Sequence, residues 1–322
     1  MNSLLTSSFS HISSVSHTSL LKGLKQLESL LSQLTQPTGK NDRSIDVSKD
    51  VDVTQLTRDP AVVEFLKLQD SFEHNAASRL VVMLERMINT YQQNRSLLAS
   101  LPDESNSINT QRRRELLQGQ KSIVSVIIRA MDLLQGLCLI HYPSRRVFNN
   151  EIYMSLLIEL LQAVKAPSSS LPSKINPEIQ IAVIDLLVSC MVREVFNIRL
   201  FEKLGGLNVI CTLCKRKETP NDVKSRVLEF LFFYLIPETQ TEHSNTINDI
   251  TEVNGYNTLS SNTTRSTNST MASGGTVNGN IKVMRKTTED KQKLLGQYIG
   301  NVADLVEELN SSKPFGDTIL EW

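Results

Sequence analysis

The sequence is poor in aromatic residues, in cysteine and in net charge. Only 5% of its 322 residues are aromatic, there are four cysteines, and 34 basic residues balance 34 acidic ones. A chain without net charge lacks the basic field that attracts a whole protein surface to nucleic acid or to an anionic membrane. Four cysteines that all fall within helical patterns are typical of reduced thiols in a cytosolic or nuclear protein. We therefore expect no nucleic-acid partner.

Long apolar runs are also missing. The densest run, 227–236, has ten residues and includes Glu229, whereas a membrane-spanning helix needs about 20 apolar residues. The first eight residues, Met1–Ser8, lack the charged start and the apolar stretch of a signal peptide. We expect neither membrane insertion nor secretion.

Sequence motifs for catalysis and small-molecule binding are absent as well. The chain has no Gly-x-x-x-x-Gly-Lys phosphate loop, no kinase motif, and no cysteine preceded by histidine as in a tyrosine phosphatase. Cys211-Thr-Leu-Cys214 has metal-like spacing, but a zinc site needs four ligands and no second pair or spaced histidine follows. We interpret both cysteines as core residues. The sequence thus predicts a protein that is not an enzyme, with no cofactor, metal or small-molecule substrate.

What the chain does contain is Leu, Ile and Val at helical spacing. No segment shows the alternation of a strand, so the pattern predicts an all-α fold. One segment, 178–191, is apolar nearly all round, which is typical of a central buried helix. Further helices are expected over 18–34, from Asp59-Pro60 through Phe72 to Ile88, from about Glu115 to Ile140, and from Asn221, as the cap, to Ile236.

Two stretches resemble each other at an offset of 53 residues. Arg146-Val-Phe148 and Arg199-Leu-Phe201 each open a short helix, followed by a bend and a longer amphipathic helix. Gly205-Gly206 is the predicted bend of the second stretch. Such repeats indicate an armadillo- or HEAT-like helical solenoid, a scaffold that usually binds partners. A chance similarity between two amphipathic helices is the alternative.

Changes in composition divide the chain into four parts. We expect an N-terminal helix and polar linker (1–57), a helical-repeat domain (58–238), a disordered insert (239–283) and a C-terminal helix (284–322). Within 241–280, 27 of 40 residues are Ser, Thr, Asn or Gly, too polar to offset the entropy of ordering. The C-terminal helix, from Leu294 to Leu309, is expected to cap the solenoid; the alternative is a helix that folds only on a partner.

Four blocks of the sequence together resemble one fungal family, the cell division control protein 14 family of the septation initiation network. This family is unrelated to the dual-specificity phosphatase of the same name. Position 74 departs from the resemblance, which implies a tryptophan where this chain has His74. The blocks are Asp59–Phe72 continuing to Ala77–Leu80, Met131–Leu137 through Pro143–Arg145 to Glu151–Met154, Val227–Glu238, and Lys291–Tyr298 to Phe315-Gly316.

The resemblance implies a non-catalytic subunit of a germinal-centre-type serine/threonine protein kinase. Such a complex acts in the cytoplasm, is recruited to the spindle pole body, and promotes septum formation and cytokinesis at the end of mitosis. A kinase-independent structural adaptor at the cytoskeleton or cell cortex is the alternative.

Six residues are candidates for functional sites. Arg79, Arg145, Arg146 and Arg199 lie within or near the matching blocks and are predicted to bind the partner, since arginine is over-represented at interface hot spots. The alternative for those near helix bends is capping of carbonyl ends. Thr287 and Thr288 follow Arg285-Lys286, which is typical of sites for a basic-directed kinase, so we predict phosphorylation there.

Overall fold

The computed structural model describes residues 1–35, 58–101, 107–162, 176–238 and 285–312. These residues form thirteen helices and no strand, which confirms the all-α class. The predicted linker at 38–57 and the insert at 239–283 lie outside the described residues. The elements are α1 (Asn2–Ile12), α2 (His17–Thr35), α3 (Pro60–Gln69), α4 (Ala76–Ser100), α5 (Ser107–Ile140), the 3-10 helix η1 (Tyr142–Asn149), α6 (Glu151–Leu161), α7 (Pro177–Met191), α8 (Val195–Lys203), α9 (Gly206–Lys215), α10 (Asn221–Leu235), α11 (Thr288–Gly296) and α12 (Val302–Ser312).

Two helices begin with the same cap, in which a polar side chain precedes proline. The Asp59 carboxylate accepts from the backbone N–H of Ala61 at 2.8 Å, and the Asn176 amide oxygen accepts from that of Glu178 at 2.8 Å. Proline in the first turn costs no hydrogen bond, because a backbone N–H at that position has no partner within the helix. The start predicted at Asp59-Pro60 is confirmed. The cap predicted at Asn221 is wrong, because α10 starts at Asn221 and its cap is Pro220.

Helix α7 occupies the centre of the fold, as its all-round apolar sequence predicts. It contacts α5, α6, η1, α8 and α10. Beyond its first turn most of its surface meets other elements, and the side formed by Ile181, Asp185 and Val188 is half-buried. The buried hydrophobic residues of α7 are Ile179, Ala182, Val183, Ile184, Leu186, Leu187, Cys190 and Met191.

The two similar stretches fold in similar ways and pack against each other. The first forms η1 and α6, the second forms α8 and α9, and each helix of the first pair contacts α8. The equivalent residues Phe148 and Phe201 are both fully buried. Gly205 provides the predicted bend with a left-handed φ of +77°, a conformation that glycine adopts without strain. The solenoid arrangement itself stays a prediction, since two copies alone do not define a superhelix.

The N-terminus holds a helix that the sequence pattern did not indicate. Helix α1 buries Leu5, Phe9 and Ile12 against α2 and α4. Its first-turn and middle positions are mostly serine and threonine, which weaken the helical pattern. The Arg86 side chain on α4 donates to the carbonyl of Ser14 at 2.8 Å, so α1 is held by packing and by a side-chain bond to its C-terminal end.

The region predicted as one helix from Asp59 to Ile88 consists of two. A turn at 70–75 separates α3 from α4. The Asn75 side chain caps α4 by accepting from the N–H of Ser78 at 2.8 Å. Phe72, expected on an apolar helix face, therefore lies in the turn. The local capping signal of Asn75 outweighs the longer apolar period.

The end of α5, η1 and the end of α7 meet at a buried junction built on Arg145. Its Nε donates to the carbonyl of Cys138 at 2.6 Å, and its Nη1 donates to the carbonyl of Val192. The Asn197 side chain donates to the carbonyl of Arg145 at 2.9 Å. These bonds satisfy carbonyl groups that helix ends leave without a backbone partner. One arginine thus joins the C-terminal ends of α5 and α7.

The C-terminal residues form two helices where the sequence predicts one. Helices α11 and α12 both contact α10, and Leu295, Ile299 and Val302 are buried in the core. The chain turns between Gln297 and Asn301, which places Ile299 against the core.

A C-terminal ion cluster attaches α11 to α8 and α10. It consists of Arg199, Glu202, Glu238, Lys286 and Lys291. Arg199 pairs with Glu202 at 2.5 Å and also with Glu238. Lys286 pairs with Glu202 at 2.5 Å, and Lys291 pairs with Glu238 at 3.0 Å. Both Lys291 and Glu238 have fully buried side chains, so each charge is compensated inside the fold.

Hydrogen bonding determines the charge state of the Glu202 carboxylate. Burial acts to raise its pKa, but bonds from Lys286, Arg199 and Tyr234 outweigh burial, and the pKa falls below its ordinary 4.5. The stability that Glu202 contributes is therefore complete above its ordinary pKa and is lost as the pH falls through the lowered one.

One stretch of α5, Asn109–Ile140, is long and apolar enough to cross a membrane by length and composition alone. Half of its most apolar window is buried inside the fold. A core helix meets the same criterion, and α5 packs against α2, α4 and α7. The absence of membrane insertion stays a prediction.

Replacing Arg145 tests the junction, and its exposed neighbour supplies the control. Arg145→Met keeps most of the side-chain volume but leaves buried carbonyls without donors, so we expect the free energy of unfolding to fall by about 2–4 kcal/mol. Arg146→Met removes the same charge from an exposed position and should change it by less than about 0.5 kcal/mol. Urea denaturation of both variants measures the difference, and equal stabilities would contradict the structural role.

Shortening the insert tests how the chain closes before α11. The N–H of Glu238 donates to the carbonyl of Lys286 at 3.1 Å, so the ends of the segment 239–284 are adjacent. Replacing most of it with a Gly/Ser linker of about six residues should leave stability unchanged or raise it by up to about 2 kcal/mol, because a shorter loop loses less entropy. Thermal denaturation provides the measurement. A substantially lower melting temperature would show that the fold needs the insert.

Candidate functional site

An exposed surface with large apolar side chains lies where the α3–α4 turn, η1 and the start of α8 meet. We call it the aromatic edge and define it by Phe72, Tyr142, Arg146 and Phe196. The exposed fractions of Phe72, Tyr142 and Phe196 are 94%, 41% and 36%. Arg146 is exposed as well. Exposed aromatic residues next to arginine are typical of protein-binding surfaces.

Two contacts bring the parts of the aromatic edge together. The Asp70 carboxylate lies 3.1 Å from Nε2 of His141, which places the turn of Phe72 beside the start of η1. The Tyr142 hydroxyl donates to the carbonyl of Arg193 at 3.0 Å, which places η1 beside the turn that leads to Phe196. The α3–α4 turn and the start of α8 therefore both lie next to η1.

The turn that carries Phe72 is held by polar side chains. The Ser71 hydroxyl donates to the carbonyl of Leu68 at 2.7 Å and accepts from the N–H of His74 at 3.2 Å. The Asn75 amide donates to the carbonyl of Gln69 at 2.6 Å. Phe72 thus projects from an ordered turn, and its exposure does not result from fraying. A turn whose backbone is already ordered loses less entropy on binding a partner.

Tyr142 is the centre of the aromatic edge. The guanidinium carbons of Arg145 and Arg146 lie 5.1 and 5.6 Å from its ring centroid, within the range of a cation–π contact. Burial, followed by the charge and hydrogen bond of Glu194, raises the pKa of Tyr142. The phenol therefore stays neutral at physiological pH and keeps its donor role toward Arg193.

Arg193 adopts a backbone conformation that is rare for a residue with a side chain. Its φ is +56°, the only positive φ of a non-glycine residue among the described residues. This left-handed conformation costs about 1–2 kcal/mol for an L-residue. Strain of this size often marks a functional surface, and here it ends α7 next to the aromatic edge.

The structure separates the four predicted arginines into two classes. Arg79 and Arg146 are exposed, although the Arg79 guanidinium lies 5.9 Å from the Phe9 ring centroid. Arg145 is buried in the junction, and burial lowers its pKa. Arg199 belongs to the C-terminal ion cluster. Arg145 bonds carbonyl groups at helix ends, which was the alternative interpretation, and Arg199 is held by ion pairs with Glu202 and Glu238. Of the four arginines, the aromatic edge includes Arg146.

The two predicted phosphorylation sites start α11. Thr287 is the N-cap: its hydroxyl accepts from the N–H of Asp290 at 3.3 Å, and the Asp290 carboxylate accepts from the N–H of Thr287 at 3.3 Å. Thr288 is partly buried, and its hydroxyl donates to the carbonyl of Leu235 at 3.1 Å. The two threonines are therefore adjacent in sequence but differ in what they contact.

The cysteines and histidines do not assemble a reactive centre among the described residues. No group of three or more His, Cys, Asp or Glu side chains there is placed to hold a metal ion. Burial raises the pKa of Cys211 to about 12, so its thiol is protonated and unreactive at neutral pH. His141 is buried and bonds Ser144 at 2.8 Å.

Sequence reasoning did not find Phe72, Tyr142 and Phe196 as surface residues. Apolar side chains are assigned to the core unless another signal intervenes. For Phe72 that signal is the Ser71–Asn75 segment, whose serine and asparagine favour a turn and a cap. For Tyr142 and Phe196 no local signal exists, since their exposure depends on how η1 and α8 pack.

Comparison with known proteins identifies one family whose model matches almost the whole chain. Residues 1–315 match the family model described as "Cell division control protein 14, SIN component". A relative in Schizosaccharomyces pombe, "Cell division control protein 14", is 28% identical over 316 residues, which cover 98% of this chain and 97% of the relative. No solved structure matches.

The family match agrees with the residues that suggest it. The matched range includes the turn of Phe72, the junction and both threonines, and it extends through α12. The all-α architecture of the described residues also separates the chain from the phosphatase that shares the family's name. The chain therefore belongs to the cell division control protein 14 family, whose members are components of the septation initiation network.

Proposed function

We propose that this protein is a non-catalytic partner subunit of a germinal-centre-type serine/threonine protein kinase. In this role it promotes septum formation and cytokinesis at the end of mitosis, acting in the cytoplasm and at the spindle pole body. The family match supports a role in the septation network. The resemblance that led to the family implies the kinase, and the observation that carries the binding role is the aromatic edge.

The aromatic edge suits a protein partner for three physical reasons. Phe72 is almost wholly exposed, so its burial by a partner would remove a large apolar area from water. Tyr142 and Arg146 are side chains of the kinds that dominate interface energetics. The bonds of Ser71 and Asn75 hold the turn before binding, which lowers the entropic cost of association.

The resemblance to the family also concerns His74, a residue of the α3–α4 turn. His74, where the resemblance implies a tryptophan, lies two residues from Phe72 in the α3–α4 turn. An aromatic or histidine side chain at that point extends the aromatic edge. The partner contacts of this chain should therefore differ in detail from those of relatives with tryptophan at this position.

Affinity purification tests the partner. The protein is purified from mitotic fungal cells, washed with salt, and the retained proteins are identified by mass spectrometry. We expect a germinal-centre-type kinase in near-equal amount. Recovery of cortical or cytoskeletal proteins without a kinase would contradict the proposal and support the adaptor alternative.

Variants of the aromatic edge test the surface. Phe72→Ala combined with Arg146→Glu should reduce kinase recovery at least tenfold, because hot-spot residues each contribute roughly 2 kcal/mol or more. Both side chains are exposed, so the melting temperature should not change. Leu117→Ala, at an exposed position on α5, is the control and should retain the kinase. Normal recovery with the double variant would show that the kinase binds elsewhere.

A further inference from the structure

We propose that phosphorylation of Thr288 releases α11 and α12 from the body of the fold. The modifying enzyme is a basic-directed serine/threonine kinase that uses MgATP. The proposal goes beyond the proposed function, since it concerns a covalent modification of this chain and holds whichever partner occupies the aromatic edge. It rests on three features of the start of α11: the preceding charges, the contact of the Thr288 hydroxyl, and the buried ion cluster beside it.

The sequence before Thr288 has the charge of a substrate for such a kinase. Arg285 and Lys286 stand three and two residues before it. Cations at these positions pair with carboxylates along the peptide groove of a basic-directed kinase. In the docked state Lys286 is engaged with Glu202 at 2.5 Å. The kinase therefore recognises this segment when it is transiently undocked.

The hydroxyl of Thr288 makes a contact that a phosphate cannot make. Oγ1 donates to the carbonyl of Leu235 at 3.1 Å, and Leu235 is the last residue of α10. The carbonyl end of a helix carries partial negative charge. A phosphate ester on Oγ1 has no proton to donate and adds about −1.5 to −2 charges. An attractive contact between α11 and α10 becomes repulsive.

The surroundings of Thr288 increase this effect. The Glu238 carboxylate accepts from the N–H of Lys286 at 2.9 Å and pairs with Lys291 at 3.0 Å. A phosphate next to this site either repels the buried carboxylate or takes Lys291 from it, and both outcomes break the cluster. The N-terminus of α11 favours negative charge, but Glu289 and Asp290 already occupy its first turn.

The modification step is an ordinary phosphoryl transfer. Oγ1 of Thr288 attacks the γ-phosphorus of ATP, a new P–O bond forms, the bond to ADP breaks, and ADP leaves. The hydroxyl proton passes to a carboxylate base of the kinase and then to solvent. Because Thr288 is partly buried when docked, transfer occurs in the undocked state. The phosphate then prevents redocking, because only the undocked state accommodates it without an energetic penalty.

Two charge variants of the full chain test the proposal without a kinase. Thr288→Asp places a carboxylate against the end of α10, whereas Thr287→Asp adds the same charge one residue earlier, where aspartate is a good N-cap. Hydrogen exchange over 291–302 is the readout. We expect exchange at least tenfold faster in Thr288→Asp and within about threefold of the unmodified chain in Thr287→Asp. Equal exchange in both variants would overturn the proposal.

Direct phosphorylation provides the second test. The full chain is incubated with MgATP and the catalytic subunit of a cyclic-AMP-dependent protein kinase, and the site is identified by mass spectrometry. Phosphate at Thr288 together with at least tenfold faster exchange over 291–302 supports the proposal; Thr288→Val should not respond to the kinase. Phosphate at Thr287 only, or phosphate at Thr288 with unchanged exchange, contradicts it. Glu238→Gln, which breaks the ion cluster directly, shows the exchange expected of the released state.

Discussion

The burial of most of α7 is the constraint on which the other elements depend. Its apolar residues pack against α5, α6, η1, α8 and α10. The carbonyl groups at the end of such a helix need hydrogen-bond donors from the protein wherever they are removed from water. Arg145 does this by donating to Val192 at the end of α7 and to Cys138 at the end of α5.

Charged side chains in this protein mainly join elements to one another. The junction attaches the ends of two core helices, and the C-terminal ion cluster attaches α11 to α8 and α10. Both are buried, so each charge needs its partners and the loss of one leaves another uncompensated. This dependence makes the C-terminal helices sensitive to a change of charge at Thr288.

In the proposals made for this protein, a partner binds at one place and a signal acts at another. The aromatic edge and the start of α11 are built from different elements of the same fold. The edge is held by hydrogen bonds within the α3–α4 turn and η1, which favours a constant binding surface. The start of α11 depends on a single hydroxyl and a group of coupled charges. The hydrogen bonds of the aromatic edge favour a fixed shape, whereas the start of α11 responds to a change of charge.

Local patterns in the sequence determined the all-α class, the buried centre at 178–191, the cap at Asp59, and the bend at Gly205, since each depends on residues close in the chain. The family also follows from the sequence. Only the tertiary structure distinguished Arg145, which is buried, from its neighbour Arg146, which is exposed. The same holds for Tyr142 and Phe196, for the N-terminal helix α1, and for the break between α11 and α12. In these cases packing partners dozens of residues away decide which side chains are buried, and no local pattern contains that information.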